Sequence, residues 1–347
     1  MAIRVFLAVA LLIGSCAARA AEPISLQHTD LIKRGDTVLW IGDELLQDAD
    51  WPLFVEAGLL AARPDDAVTW YRAGSEGSTA EVAALWGSRI VMTIRASLVF
   101  ACFGQAESEF LRHPMPPGFA EPTEEDLQAA LAKYEEGLDL FVDAMLSRSV
   151  RTVVIVSPPA VDELEPASHG FYVGMNATLA LFAERAREVA QRRELPFIDL
   201  FTISSSLMQP ARSAGVGLTE DGRTATDVGS VLIGAELLHE FGLDRAALLR
   251  RQWRPATEPA YTVAQRIDPS LAPPEAVSAG GSFAVAQALR VFDTHFLILW
   301  RDMDRLLHPD HANRADILSK HRAEVDADWR RVREVVNENR ALKPDGP

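Results

Sequence analysis

Glu44 and Glu107 each lie close behind a short run that reads as the end of a strand, Asp43 immediately precedes the first of them, and Asp221 could be brought to the same strand ends. Carboxylates brought together at such ends could do two kinds of chemistry. A pair in which one pKa is raised runs glycoside hydrolysis, and a cluster binds Mg²⁺ or Ca²⁺. The competing expectation, and the preferred one, is an ion-pair network in which Glu107 is held by an arginine such as Arg72 or Arg223. Hydroxyl and imidazole groups are also present. Ser75, Ser78 and Ser108 lie near the same ends and read as turn or helix-cap residues rather than nucleophiles. His113, His169, His239, His295, His308 and His311 read as surface or satisfied core positions. His308-Pro309-Asp310-His311 has no spacing that defines a metal site, so neither a metal nor a cofactor is expected.

These residues need elements to hold them. Gly35-Asp36 leads into Thr37 to Ile41, a β-rich run that ends at Gly42-Asp43, which is the mark of a buried parallel strand. Similar runs are Ala67 to Tyr71, ending at Gly74; Leu98 to Phe103, ending at Gly104; Thr152 to Val156, ending at Ser157-Pro158-Pro159; and Pro196 to Leu200. Helical patterns separate them over Pro52 to Leu60, Thr79 to Trp86, Glu124 to Ser147 and Asn176 to Arg193. This alternation predicts an α/β fold with a doubly wound parallel sheet covered on both faces, a flavodoxin-like three-layer α/β/α arrangement. Ligands bind such sheets at the carboxyl ends of the strands, so Gly42-Asp43, Gly74 and Gly104 should converge.

Four blocks, in order across Thr37 to Gly229, resemble the SGNH (GDSL-type) hydrolases. Gly42-Asp43-Glu44 matches the Gly-Asp-Ser that ends the family's first strand, with Glu44 where the nucleophilic serine stands. Tyr71-Arg72-Ala73-Gly74-Ser75-Glu76-Gly77 matches the second block, in which the amide of Gly74 would help form an oxyanion hole. Gly104-Gln105-Ala106-Glu107-Ser108 matches the third and puts Ala106 where an asparagine donates to the oxyanion. Leu218-Thr219-Glu220-Asp221-Gly222-Arg223-Thr224 matches the Asp-x-x-His block, supplying Asp221 and placing Thr224 where histidine belongs. The stretch Phe296 to Asp302 also resembles a region that follows the domain in one bacterial branch.

The resemblance implies the SGNH hydrolase fold and, by its substitutions, the loss of serine chemistry. A serine esterase needs a hydroxyl nucleophile, an imidazole base, an orienting carboxylate and oxyanion donors. Of these, the matched positions keep the carboxylate Asp221 and the glycine Gly74. Glu44 would bring negative charge to the place where an oxyanion develops, and Ala106 donates nothing. Loss of one oxyanion donor costs roughly 100 to 1000-fold, and loss of nucleophile and base far more.

The formal net charge is -15, from 49 acidic and 34 basic residues, without a basic stripe that could neutralise phosphates, so nucleic acid is not an expected partner. Arg4, the apolar run Val5 to Ile13 and Ala18-Arg19-Ala20 read as a signal peptide over residues 1–20, which predicts export to the periplasm or beyond, and no later stretch suggests a transmembrane span. Leu12-Ile13-Gly14-Ser15-Cys16 resembles a lipobox, so lipidation at Cys16 is the alternative to simple cleavage near Ala20. Cys102 reads as a small core residue. Residues 30–250 form the expected α/β domain, 251–282 a Pro- and Gly-rich extended connection, and 283–347 a helical extension with a charged helix near Lys320 to Arg340. Three functions compete: a non-catalytic binder, whose ligand the resemblance implies to be a carbohydrate or acylated small molecule; a hydrolase of ester or glycan bonds with a rearranged carboxylate site; and a structural envelope protein assembled through the tail helix. Oligomeric state is not read from the sequence.

Overall fold

Five runs of branched and aromatic residues pair side by side in parallel. They are β1 (Thr37–Gly42), β2 (Thr69–Gly74), β3 (Leu98–Cys102), β4 (Thr152–Val156) and β5 (Phe197–Ile198), in the order β2-β1-β3-β4-β5. The computed structural model describes residues 31–112, 122–243, 254–267, 323, 327–328 and 330–335. The strand order is that of a flavodoxin-like doubly wound sheet, whose winding reverses between β1 and β3. Both neighbours of β1 meet it in register at its last residue, Gly42 opposite Gly74 on one side and Cys102 on the other. A Cβ on Gly42 would stand 2.3 Å from the carbonyl oxygen of Cys102, so only glycine lets β1 and β3 approach here.

Helices cover both faces. On one lie α3 (Ala80–Ile94), α5 (Glu124–Leu146) and α6 (Met175–Arg192), packed in succession. On the other lie α2 (Trp51–Ala62), α7 (Leu200–Ser213), α8 (Asp227–Glu240) and α9 (Arg254–Ile267). Two short helices, α1 (Glu44–Asp48) and α4 (Gln105–Arg112), start directly behind the ends of β1 and β3. The core under this cover includes Trp40, which stacks on Phe100 at 4.2 Å between ring centroids and meets Trp51 edge-on at 5.3 Å. Cys102 is buried in it, its thiol donating to the carbonyl of Ser157 at 3.7 Å, in keeping with a core role.

The structure departs from the sequence expectations in three places. Strand β5 is only two residues long, because Asp199 leaves the sheet and caps α7, its carboxylate accepting from the amide of Thr202 at 3.0 Å. Within the stretch expected to be extended from Arg251, residues 254–267 instead form α9, with Pro255 in its first turn, where a missing amide hydrogen costs nothing, and it packs on α8 and α7; residues 268–282 lie outside the described residues. Finally, the charged tail contributes to this chain's own core: Val332 and Val335 are buried in the main cluster, and the Arg333 guanidinium lies 3.4 Å from the hydroxyl of Thr69 at the start of edge strand β2. Among the described residues no helix is long and apolar enough to cross a membrane. The leader with Cys16, the stretch Phe296 to Asp302, and His113, His295, His308 and His311 lie outside the described residues.

Candidate functional site

The end of β1 turns into α1 through Asp43, whose backbone stays extended while its side chain caps the helix. One carboxylate oxygen accepts from the amide of Leu45 at 3.1 Å, and the other accepts from the amide of Ala106 at 3.3 Å. Asp43 therefore ties the β1 end to the β3 end, and it is 2% exposed. Glu107 makes the next link outward. Its two oxygens accept from the amides of Ala80, at the start of α3, and Gly104, at the end of β3, both at 2.9 Å. Gly104 takes φ +117, which glycine tolerates and other residues do not.

Burial dominates the electrostatics of these two acids. It pushes the Asp43 carboxyl up to about 8, with the charge of Glu107 adding to the effect and the amides of Ala106 and Leu45 offsetting part of it. It raises Glu107 to about 7 against the opposing amides of Ala80 and Gly104 and the charge of Lys133.

Glu44 is held differently. One of its oxygens is ion-paired with the guanidinium of Arg223, and the other accepts from the amide of Gly77 at 3.3 Å. The same Arg223 nitrogen lies 3.4 Å from a carboxylate oxygen of Glu109, which also accepts from the side-chain amide of Gln105 at 3.0 Å. Burial alone would make Arg223 easier to deprotonate, but Glu109 and Glu44 outweigh it and hold the guanidinium firmly charged.

Asp221 folds its own loop. Its carboxylate accepts from the amides of Thr224 at 2.6 Å and Arg223 at 2.9 Å and from the Thr224 hydroxyl at 3.2 Å. Burial works against its charge, yet those hydrogen bonds and Arg223 keep the carboxyl below its ordinary range. The loop is pinned where Gly229 packs so closely under Leu218 that a Cβ would stand 2.1 Å from the Leu218 carbonyl oxygen.

The structure therefore brings Asp43, Glu44, Gly74, Gly104, Ala106 and Glu107 to one end of the sheet and joins Asp221 and Thr224 to them through Arg223. Glu44, Glu107 and Asp221 do not form one carboxylate cluster, and among the described residues no group of three His, Cys, Asp or Glu side chains could hold a metal ion. The arginine expected for Glu107 goes to Glu44 and Glu109 instead, because the amides of Ala80 and Gly104 already satisfy Glu107. Arg72 turns away and donates to the carbonyl of Ala49. Sequence reasoning missed Glu109; its one-turn spacing from Gln105 in α4 was the available local signal. Ser78 accepts from the Trp86 indole at 3.1 Å, and the Ser108 hydroxyl donates to the Gln105 carbonyl at 2.8 Å, so both do structural work. His169 and His239 are exposed, one in a left-handed turn and one in the last turn of α8.

No protein-family model matches the chain, and no curated protein matches it in sequence. Solved structures do. A gut microbial diltiazem-metabolizing enzyme aligns over 60% of this chain and 47% of its own length, with a TM-score of 0.51 and 16% identity. An acetylxylan esterase from Geobacillus stearothermophilus aligns over 62% of this chain and 98% of its own, with a TM-score of 0.48 and 16% identity. The chain spans under half the length of the former. What it shares with that enzyme is the fold, and the likeness to SGNH hydrolases seen in the four sequence blocks extends to the doubly wound α/β/α architecture.

Proposed function

We propose that this chain is an exported binding protein built on the SGNH hydrolase fold, with ester hydrolysis lost and a carbohydrate or acylated small molecule as its ligand. The observation that carries the reading is the Arg223–Glu44 ion pair, which fills the position where the resemblance places a nucleophile. A carboxylate there opposes the negative charge of an acyl-transfer transition state, and its arginine is committed to it and to Glu109. Ala106 adds no side-chain donor, and the Thr224 hydroxyl is spent on Asp221. Export, with simple cleavage near Ala20 or lipidation at Cys16, completes the proposal.

A second reading has one observation in its favour. Burial raises the Asp43 and Glu107 carboxyls to about 8 and about 7, as a carboxylate-based hydrolase would need of its acid. Against it, each carboxyl accepts two backbone amides and serves as a clamp between the ends of strands and helices. The deciding experiment is hydrolysis of p-nitrophenyl esters and acetylated sugars by the mature protein, beside a Glu44→Ser, Ala106→Asn, Thr224→His variant. An inert wild type fits binding, and activity in the variant would mean the scaffold still supports the chemistry. Turnover by the wild type well above the blank would overturn the proposal.

A further inference from the structure

Between the first turn of α3, α4 and the first half of α5 lies a cavity of about 300 Å³, which falls at the low end of the range for small-molecule sites, about 300–1,000 Å³. Leu111, Ala130 and Tyr134 give it apolar walls, and Glu81, Glu107 and Lys133 supply its charges. Of the acids at the sheet end only Glu107 reaches it; Glu44, Asp221 and Arg223 belong to the other side of the cluster. Its two hydroxyls are committed. That of Thr79 accepts from the amide of Val82 at 3.3 Å, and that of Tyr134 donates to the carbonyl of Phe103 at 2.9 Å. Glu107 is half-buried, so part of its surface stays accessible.

The charges of this cavity do not balance. Lys133 and Glu81 pair at 3.4 Å, both exposed, and offset each other at the mouth. Glu107 accepts two backbone amides, and among the described residues it forms no ion pair with a lysine, arginine or histidine; Lys133 acts on it at longer range. The other titratable groups that face it are Asp43 from the end of β1, Cys102 from β3 and Tyr134 from α5. None of these can carry a positive charge. Ionising Glu107 therefore leaves a carboxylate beside apolar walls without a counter-ion, and burial accordingly raises it to about 7. We infer that this cavity binds a small organic ammonium compound, its charged nitrogen against Glu107 and its hydrocarbon against Leu111 and Ala130. An anion would meet two carboxylates against one lysine, and a neutral molecule would leave the carboxylate without a counter-charge. The inference goes beyond the proposed function and does not depend on what the sheet end binds.

The test is a titration of the full mature chain at pH 7 with benzylamine, benzyl alcohol and benzoate, which share a ring and differ in charge, followed by NMR chemical shifts. Benzylamine should bind with a Kd on the order of 1 mM, at least tenfold more tightly than either of the others. Its affinity should rise about tenfold or more from pH 5.5 to 8, because Glu107 gains its charge across that range while an amine keeps its own. Ala130→Phe, at a partly exposed position of α5, should abolish binding by filling the cavity. Glu107→Gln should bring the amine down to the level of the alcohol and remove the pH dependence; should that variant not fold, Ala130→Phe and the three ligands still decide. No shift changes with benzylamine up to about 20 mM, equal affinity for the alcohol, an affinity indifferent to pH, or an unaltered Ala130→Phe variant would each overturn the inference. Benzylamine carries no ester, so ester turnover in the hydrolysis assay would sink the non-catalytic reading alone and leave this result standing.

Discussion

The guanidinium of Arg223 closes on the carboxylate of Glu44 across 179 positions of sequence, at the mouth of the sheet where the resemblance places a nucleophile. The contact joins the loop before α8 to the first turn after β1. It commits that guanidinium to the carboxylates of Glu44 and Glu109.

Breaking that pair should be costly from either side and less so from both. The two side chains are only 18% and 16% exposed, so truncation leaves a mostly desolvated charge behind. Arg223→Met or Glu44→Gln should each lose about 1–3 kcal/mol in urea unfolding, below the 3–5 kcal/mol of a fully buried pair because some solvent remains. The Arg223→Met, Glu44→Gln double variant should recover part of the loss. Strict additivity of the two losses would refute a direct pairing.

Stability should fall as pH rises toward 8. Folded Asp43 and Glu107 titrate at about 8 and about 7, against ordinary values of 3.8 and 4.5, so between these limits the folded chain holds more protons than the unfolded one. Their contribution is complete below about pH 4 and lost as pH passes through 7 to 8. Each titrating acid changes stability by about 1.4 kcal/mol per pH unit, and Asp43→Asn should flatten the slope. Denaturation midpoints at pH 5.5 and 8 measure it. A wild type more stable at pH 8, after correction for its other carboxylates, would contradict the raised values.

Gly42→Ala should not fold. The added methyl would meet the Cys102 carbonyl oxygen at 2.3 Å, and that oxygen belongs to a strand locked on both sides. Gly35→Ala, where a Cβ meets nothing within 4 Å but φ is +78, should cost only about 1 kcal/mol. Soluble expression and thermal melts compare them; a well-folded Gly42→Ala protein would mean that β1 and β3 do not pair this closely.

Val332→Asp should destabilise the α/β unit itself, by about 3 kcal/mol or more, since the residue is 0% exposed and clusters with the main core. A single cooperative melt shifted downward is the expected result. An unchanged melt would mean that the tail is independent of the fold and free for assembly.

Much of this protein was legible in the order of its residues. Apolar runs, three ending in glycine and one at Ser157-Pro158-Pro159, located four of the strands within a few residues, because a parallel strand buried on both faces must be almost continuously apolar and must turn sharply where it ends. The fifth strand was legible in place but not in length, since Asp199 reads as well at a strand end as at a helix cap. The prolines after Arg251 suggested an extended chain, yet residues 254–267 form a helix that takes in Pro255 and Pro259; Pro255 falls in the first turn, where a proline loses no hydrogen bond.

The site divides along the same line. Local blocks sufficed to bring Asp43, Glu44, Gly74, Gly104, Ala106, Glu107, Asp221 and Thr224 to one end of the sheet, since each sits within a few residues of a strand end or turn. Which acid would take the arginine was not a local matter. It depended on backbone amides: those of Ala80 and Gly104 satisfy Glu107, while Glu44 receives one from Gly77 and keeps an oxygen for Arg223. Sequence by itself determined the sheet, its end and the residue types gathered there. Only the tertiary structure decided their pairing, because hydrogen bonds and charges between segments 179 residues apart are chosen by what folding leaves unsatisfied.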